Sequence, residues 1–328
     1  MWVGQFAGWP VAFITPVLLT VLLGLPMPAP AFKGGFSFAI ALLAGVWLTT
    51  WAILPLLTHQ PAVGLLLIVT ACFWSFYYGA SGGSPVISSF LTMGLAIVTA
   101  IGSSSIDQLI TINWALTINT FTAIAFMWVA YALFPDQPVK GPAPARPKPQ
   151  KPSREAAIRS AWRSTVVVLP VILFFVFYAG SASYLAVMIK VSSMGQQAAA
   201  EKSRDIGKSL LLSTLIGGIG ATIMWRLLDL WPSLLVYVLL VALGGLVMGQ
   251  RIFQGKGMHP HSGVWSYGYL TMLVIIGPTV MDTSGSVAAG IKFFDRLSMM
   301  LWATVYAMAA ISIFDAFWHS KARQTVVE

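Results

Sequence analysis

The sequence predicts an all-α polytopic membrane protein with about 11–12 transmembrane segments arranged as two parallel pseudo-repeats. Three observations carry this expectation. The chain is 57% hydrophobic and only 9% charged, whereas a soluble domain carries about 25% charged residues. Apolar runs long enough to cross a hydrocarbon core of about 30 Å recur from near residue 10 to residue 318. Several phrases of the first half return in the second, in the same order. A β-barrel does not fit, because the runs are continuously apolar and do not alternate.

The expected spans are 10–25, 36–57, 62–80, 86–103, 108–134, 165–180, 182–195, 209–229, 232–250, 263–281 and 293–318. The first run has no basic residue before it and no small-residue cleavage site, which reads as a retained helix. The stretch GLPMPAPAFKGG (24–35) stands where a sixth segment of the first half would lie. Its prolines exclude a regular helix and predict a short broken segment. GASGGSP (79–85) reads as a turn between two spans. The lone Cys72 excludes an intramolecular disulfide and reads as a small packing residue.

Charge gives the expected orientation. The formal net charge is +9, and seven of the basic residues fall in VKGPAPARPKPQKPSREAAIRSAWR (139–163). Cytoplasmic loops collect Lys and Arg, so this segment is expected inside, with its proline-rich part, 138–152, as an extended linker. Aromatic residues are nearly absent there, which argues against a nucleic-acid arm. Threading outward from that linker, 182–195 returns to Lys190, the polar stretch QQAAAEKSRDIGK (196–208) follows inside as a helix, and the chain ends inside. Sixteen of the 19 basic residues then lie on the cytoplasmic side, the exceptions being Arg226, Lys292 and Arg296. The expected organisation is a first repeat over 1–135, a basic linker over 136–163, a second repeat over 164–320 and a cytoplasmic tail over 321–328.

The repeat rests on four matches. TPVLL (15–19) returns as LPVIL (169–173), Pro61 as Pro232, FLTM (90–93) as YLTM (269–272), and IDQLITINWA (106–115) as FDRLSMMLWA (294–303). The order is kept and the offset only grows, as expected if the second copy has longer loops. In the last pair, Asp107 answers Asp295 and Trp114 answers Trp302, but Gln108 is answered by Arg296.

That phrase supplies most of the candidate site. Asp107 follows Ser105, with Gln108 three residues after the serine, which is a capping box with an acid in the first turn. Asp295 can act in the same way. Arg296, read at the opening of a helix, opposes the positive helix end, and a residue placed against a local rule is a functional candidate. Snorkelling, or an ion pair with Asp295 or Asp282, is the plainer reading. Trp114 and Trp302 suit either interface anchoring or an aromatic-compatible path. Arg226 and Asp229 are expected to pair locally. FWSFYYG (73–79) reads as an aromatic belt. HPH (259–261) reads as a loop, because no third metal ligand is near in sequence. No phosphate-binding GxxxxGK[ST], Cys/His cluster, nucleophile elbow or paired-carboxylate motif stands out. Neither an enzyme nor a cofactor is expected.

The segment AAIRSAWRSTVVVLPVILFFVF, the glycine-bearing helix LLLSTLIGGIGATIMW and the closing FDRLSMMLWATVYAMAAISIFDAFW together resemble the fusaric acid resistance-like and aromatic acid exporter family. The resemblance covers most of 154–318 and, more weakly, 10–134. It implies a six-segment half with an arginine opening its third and sixth segments and small residues a turn or two later. Arg296 matches the sixth-segment arginine, while Arg204 and Lys208 stand near the third segment, followed by Gly217, Gly218 and Gly220. The long cytoplasmic domain of larger members is absent, as in a small branch often encoded beside a periplasmic adaptor. The resemblance implies an exporter of organic anions, chiefly aromatic or other weak acids, in a bacterial inner membrane. It would be driven by the proton gradient, work with an adaptor protein, and could form homo-oligomers. A passive anion channel and an accessory membrane subunit are the alternatives. The substrate path would include Arg296, Asp295, Asp107, Trp114, Trp302 and Arg226. No acid sits at the middle of an expected span, so no proton carrier is named.

Overall fold

The computed structural model describes residues 11–24, 32–103, 105–135, 153–177, 185–200, 203–254, 257–259, 261–281 and 286–324, together with residues 4, 8 and 9. Eleven helices order these residues: α1 Ile14–Leu23, α2 Phe32–His59, α3 Pro61–Ala80, α4 Pro85–Gly102, α5 Ile106–Leu133, α6 Arg154–Phe177, α7 Leu185–Ala200, α8 Ser203–Leu230, α9 Leu234–Ile252, α10 Ser262–Met281 and α11 Ser286–Gln324. A two-residue antiparallel ribbon, Phe253–Gln254 with Gly257–Met258, joins α9 to α10. The protein is all-α. Among the described residues, eight helices are long and apolar enough to cross a membrane, and Ile14–Leu23 and Ile87–Gly102 are shorter apolar helices.

The outer surface is what a bilayer requires. Along α8, Leu212, Leu215, Ile219, Ile223 and Leu227 form an exposed stripe at helical spacing, and Leu235, Leu239, Leu243 and Leu246 do the same on α9. A water-soluble surface does not carry apolar bands of this extent. Lipid removes the usual hydrophobic drive between helices, so close packing and polar bonds must join them. Glycines provide the first. Helix α2 crosses α4 at Gly45 and Gly94, where a Cβ on Gly94 would stand 2.9 Å from the Gly45 carbonyl carbon. Hydroxyls provide the second. Ser88 Oγ donates to the Ser75 carbonyl at 2.7 Å, and Ser75 Oγ donates to the Ser88 carbonyl at 3.1 Å, tying α3 to α4.

Prolines account for two irregularities. Pro55 has no N–H to continue the α2 ladder, and a π turn at Thr49–Ile53 precedes it. Pro170, inside α6, cannot donate to the Val166 carbonyl four residues back. Tyr306 of α11 donates its hydroxyl to that carbonyl at 2.8 Å, so the freed acceptor is satisfied and the two helices are joined.

Several local expectations hold. Ser105 caps α5, its Oγ accepting from the Gln108 N–H at 3.4 Å. Residues 81–84 form the turn between α3 and α4. Cys72 is fully buried. The polar stretch 196–208 is helical at both ends, in α7 and α8. Others need correcting. Phe32–Gly35, placed in the broken segment, belongs to α2; residues 25–31 lie outside the described residues. The proline-rich linker 138–152 also lies outside them, and Arg154–Arg163 is the first part of α6. Helix α11 begins at Ser286, so Arg296 sits almost three turns inside it and does not open it.

Both halves use the same packing scheme. In the first half, α1 packs on α5, α2 on α4, and α3 on α4. In the second, α6 packs on α11, α8 on α10, and α9 on α10. The helices bearing the doubled phrase also share a phase. Leu116, Asn119, Ala123 and Met127 are buried on α5, as are Thr304, Ala307, Ile311 and Asp315 at the answering positions of α11. Asp107, Ile110, Trp114 and Phe121 are exposed, as are Asp295, Ser298, Trp302 and Ala309. Gln108 and Arg296 break the pattern: the glutamine is exposed and the arginine is buried.

Helix α7 lies at the centre. It packs against α6, α8, α10 and α11 of the second half and against α3 and α4 of the first. Every residue from Val187 to Gly195 is buried.

Candidate functional site: buried cations around the central helix

Four charged side chains are buried among the described residues: Arg163, Lys190, Arg296 and Asp315. All four lie in the second half. Three are cations and one is an acid.

Arg163 and Asp315 belong together. The Asp315 carboxylate receives the Arg159 guanidinium at 3.3 Å and lies 3.9 Å from that of Arg163. Arg159 also lies over the Trp318 ring, 5.9 Å from its centroid. This cluster ties the start of α6 to the end of α11, on the side where the linker enters α6. No local pattern announces this cluster, because Arg159 and Asp315 are 156 positions apart.

Lys190 has no such partner. Its side chain is fully buried, and its Nζ has no hydrogen-bond partner among the described residues. An ion at the centre of a membrane helix costs about 2.5–3.5 kcal/mol even on the mildest scale, and intramembrane ionisable residues mark substrate and ion pathways. Hydroxyls stand close by in the same helix. Ser193 Oγ donates to the Lys190 carbonyl at 2.6 Å, and Ser192 Oγ reaches the Ser89 carbonyl of α4 at 3.5 Å. The expectation that Lys190 marks a cytoplasmic helix end is therefore corrected. Six helices pack against the helix that carries it, and the lysine lies inside that helix with its side chain fully buried. The signal that reveals it is a lone lysine in the otherwise uncharged run 185–195.

Arg296 is 5% exposed, and Nη1 donates to Thr279 Oγ1 of α10 at 3.3 Å. The adjacent Asp295 is exposed, so the two neighbours point to different surroundings and do not pair. On the same inner faces, Thr214 of α8 and Thr304 of α11 join hydroxyls at 3.0 Å. Lys190 of α7 and Arg296 of α11 are thus both buried, on helices that pack against each other.

The other predicted site residues face outward. Asp107, Asp295 and Arg226 are exposed, Trp114 is 57% exposed and Trp302 is 73% exposed. None of these five lines the interior. Both tryptophans lie on the outer surface, and Trp114 makes an edge contact with Trp47, centroids 6.0 Å apart. Arg226 and Asp229 are both exposed and no ion pair joins them, because in water two flexible side chains gain little by pairing. Lys208 is exposed, whereas the side chains of Arg204 and Asp282 lie outside the described residues. In HPH, His259 Nδ1 accepts from the His261 N–H at 3.0 Å, and no group of three or more metal-ligating side chains occurs among the described residues. The first-half interior is polar but uncharged: Asn113 Nδ2 donates to Thr50 Oγ1 at 2.9 Å, beside the π turn, and Asn113 Oδ1 is left without a partner.

A family model described as a protein of unknown function (DUF2955) matches residues 1–130. No curated protein and no solved structure matches the chain. The match covers the half in which no described charged side chain is buried, whereas the buried cations lie beyond it.

Proposed function

We propose that this protein transports organic anions, aromatic and other weak acids in particular, and exports them across a bacterial inner membrane. The observation that carries this reading is Lys190, a fully buried cation on the central helix α7 whose Nζ has no hydrogen-bond partner among the described residues. A positive interior favours a negative cargo. The resemblance to the aromatic acid exporter family supports the same substrate class. The repeated packing scheme and the shared phase of α5 and α11 support two parallel pseudo-repeats, and transporters place their sites at repeat interfaces. The linker and C-terminus are cytoplasmic in this reading, the proton gradient supplies the driving force, and a periplasmic adaptor completes the route outward.

Arg296 provides the test. A guanidinium can hold a carboxylate through two parallel hydrogen bonds, whereas an ammonium acts as a point charge. Loss of a charge-assisted bond worth about 1.5–3 kcal/mol weakens binding roughly 10- to 150-fold. In cells exporting benzoate, Arg296→Gln is expected to abolish most efflux, Arg296→Lys to retain part of it, and Gln108→Ala to change little. Normal efflux by a well-expressed Arg296→Gln protein would overturn the reading of Arg296 as an anion ligand.

A further inference from the structure

We propose that Lys190 Nζ is the docking point for the carboxylate of the transported acid. This deepens the anion-transport reading and rests on it.

The argument begins with an unfilled requirement. An ammonium offers three donors and no acceptor. Lys190 is 0% exposed and its Nζ has no hydrogen-bond partner. Buried polar groups in proteins are nearly always paired, and an exception calls for an explanation. No acid among the described residues supplies the counter-charge. Asp315, the one buried carboxylate among the described residues, is engaged by Arg159 and Arg163. Asp107, Glu155, Asp229 and Asp295 are exposed.

The location suits a transported ligand. Helix α7 contacts helices from both halves of the chain, so Lys190 lies on the segment where the two meet. Packing is also selective along α7. Gly195 sits where a Cβ would come within 2.6 Å of the Phe76 ring, and Ser164 Oγ donates to the Gly195 carbonyl at 2.9 Å, so that end of α7 is fixed to α3 and α6. Two of the helices against α7 contain an interior proline, Pro170 in α6 and Pro278 in α10. Proline weakens the helix ladder at those points and allows bending there. The structure shows the lysine closed off from solvent, so an acid reaches it only when the helices around α7 part.

A carboxylate fits this site better than a dianion or a neutral ring. One charge balances one ammonium, two oxygens can accept its N–H donors, and Val187 and Met194, about one turn away on the same helix face, are apolar. An aromatic or aliphatic body would then lie against apolar surface.

The experiment uses the full chain in nanodiscs, with benzoate as the probe and benzamide and chloride as controls. Thermal melting and calorimetric titration are recorded for the wild type, Lys190→Met and Lys190→Arg. Benzoate is expected to raise the melting temperature of the wild type, while benzamide and chloride do not. Lys190→Met is expected to lose at least about tenfold in benzoate affinity, and Lys190→Arg to lose less. Without ligand, Lys190→Met should melt above the wild type, because replacing an unpaired buried ion with an apolar chain of similar length removes a desolvation penalty. A lysine serving the fold would give the opposite sign. Four results overturn the proposal: no benzoate shift in the wild type, an equal chloride shift, unchanged benzoate affinity in Lys190→Met, or a lower melting temperature for ligand-free Lys190→Met. Failure of the parent reading is separable. Benzoate transport that survives Lys190→Met sinks this site and keeps transport, whereas Lys190-dependent binding without transport by the wild type does the reverse.

Discussion

Replacing Asp315 with Asn removes one charge from the interior and leaves the shape almost unchanged. The acid is buried and faces Arg163, whose side chain is as shielded as its own, and Arg159, whose side chain is 32% exposed. Leaving a buried charge without its partner costs about 3–5 kcal/mol. The exposed arm contributes less, about 0.2–1 kcal/mol. With an unfolding entropy of about 2.1 cal/mol/K per residue over 328 residues, the larger cost corresponds to a drop of roughly 4–7 °C in melting temperature. Arg159→Gln should lower it by no more than about 1–2 °C on the same scale. The double change Arg163→Met with Asp315→Leu should recover most of the loss, since apolar pairs of similar volume often replace buried ion pairs without penalty. Melting of detergent-solubilised variants, followed by tryptophan fluorescence, reads all three. An Asp315→Asn protein that melts within 1 °C of the wild type would refute the claim that this cluster clamps α6 to α11.

Two glycine substitutions should shift stability in opposite directions. A Cβ on Gly217 would stand 2.5 Å from the Gly268 carbonyl oxygen, so Gly217→Ala must push α8 from α10 and should cost about 1–3 kcal/mol; a Cβ on Gly249 meets nothing within 4 Å, so Gly249→Ala should gain about 0.5–1 kcal/mol from helix propensity. The same melting assay decides both, and a stabilising Gly217→Ala would contradict the close crossing. A cysteine introduced at Gln150 should resist membrane-impermeant thiol reagents in intact cells and react after lysis; labelling from outside would invert the orientation.

The membrane class and the helix positions were legible in the sequence because both follow from apolar run length, which tertiary contacts do not alter. The Ser105 cap was legible because capping is local. The doubled phrase correctly paired positions that share a phase, as Trp114 and Trp302 both face outward. What the phrase did not reveal was which side of the helix matters. Its acid and tryptophan stand out as letters yet lie on the outer surface, while the arginine beside the acid turns inward. Arg296 was read at a helix opening because the preceding polar stretch resembles a loop, but SVAAG continues the helix upstream of it. Lys190 was read as a helix end for a related reason. Serines and glutamines follow it, and a short segment ending in polar residues looks like an exit from the membrane. A helix enclosed on all sides obeys another rule: it needs no lipid-compatible length, and a polar side chain on it has no water to reach. That enclosure arises from helices far apart in sequence, so no local pattern announces it. The Arg163–Asp315 pair was hidden for the same reason.

The central claim is tested most directly by transport in a purified system. Full-length protein reconstituted into liposomes, with labelled benzoate trapped on the side facing the linker, should release it faster than protein-free liposomes. An imposed proton gradient should drive accumulation against the benzoate gradient, and Arg296→Gln should abolish both. Release that runs only down the benzoate gradient would make the protein a passive channel. Release no faster than from protein-free liposomes would contradict the account.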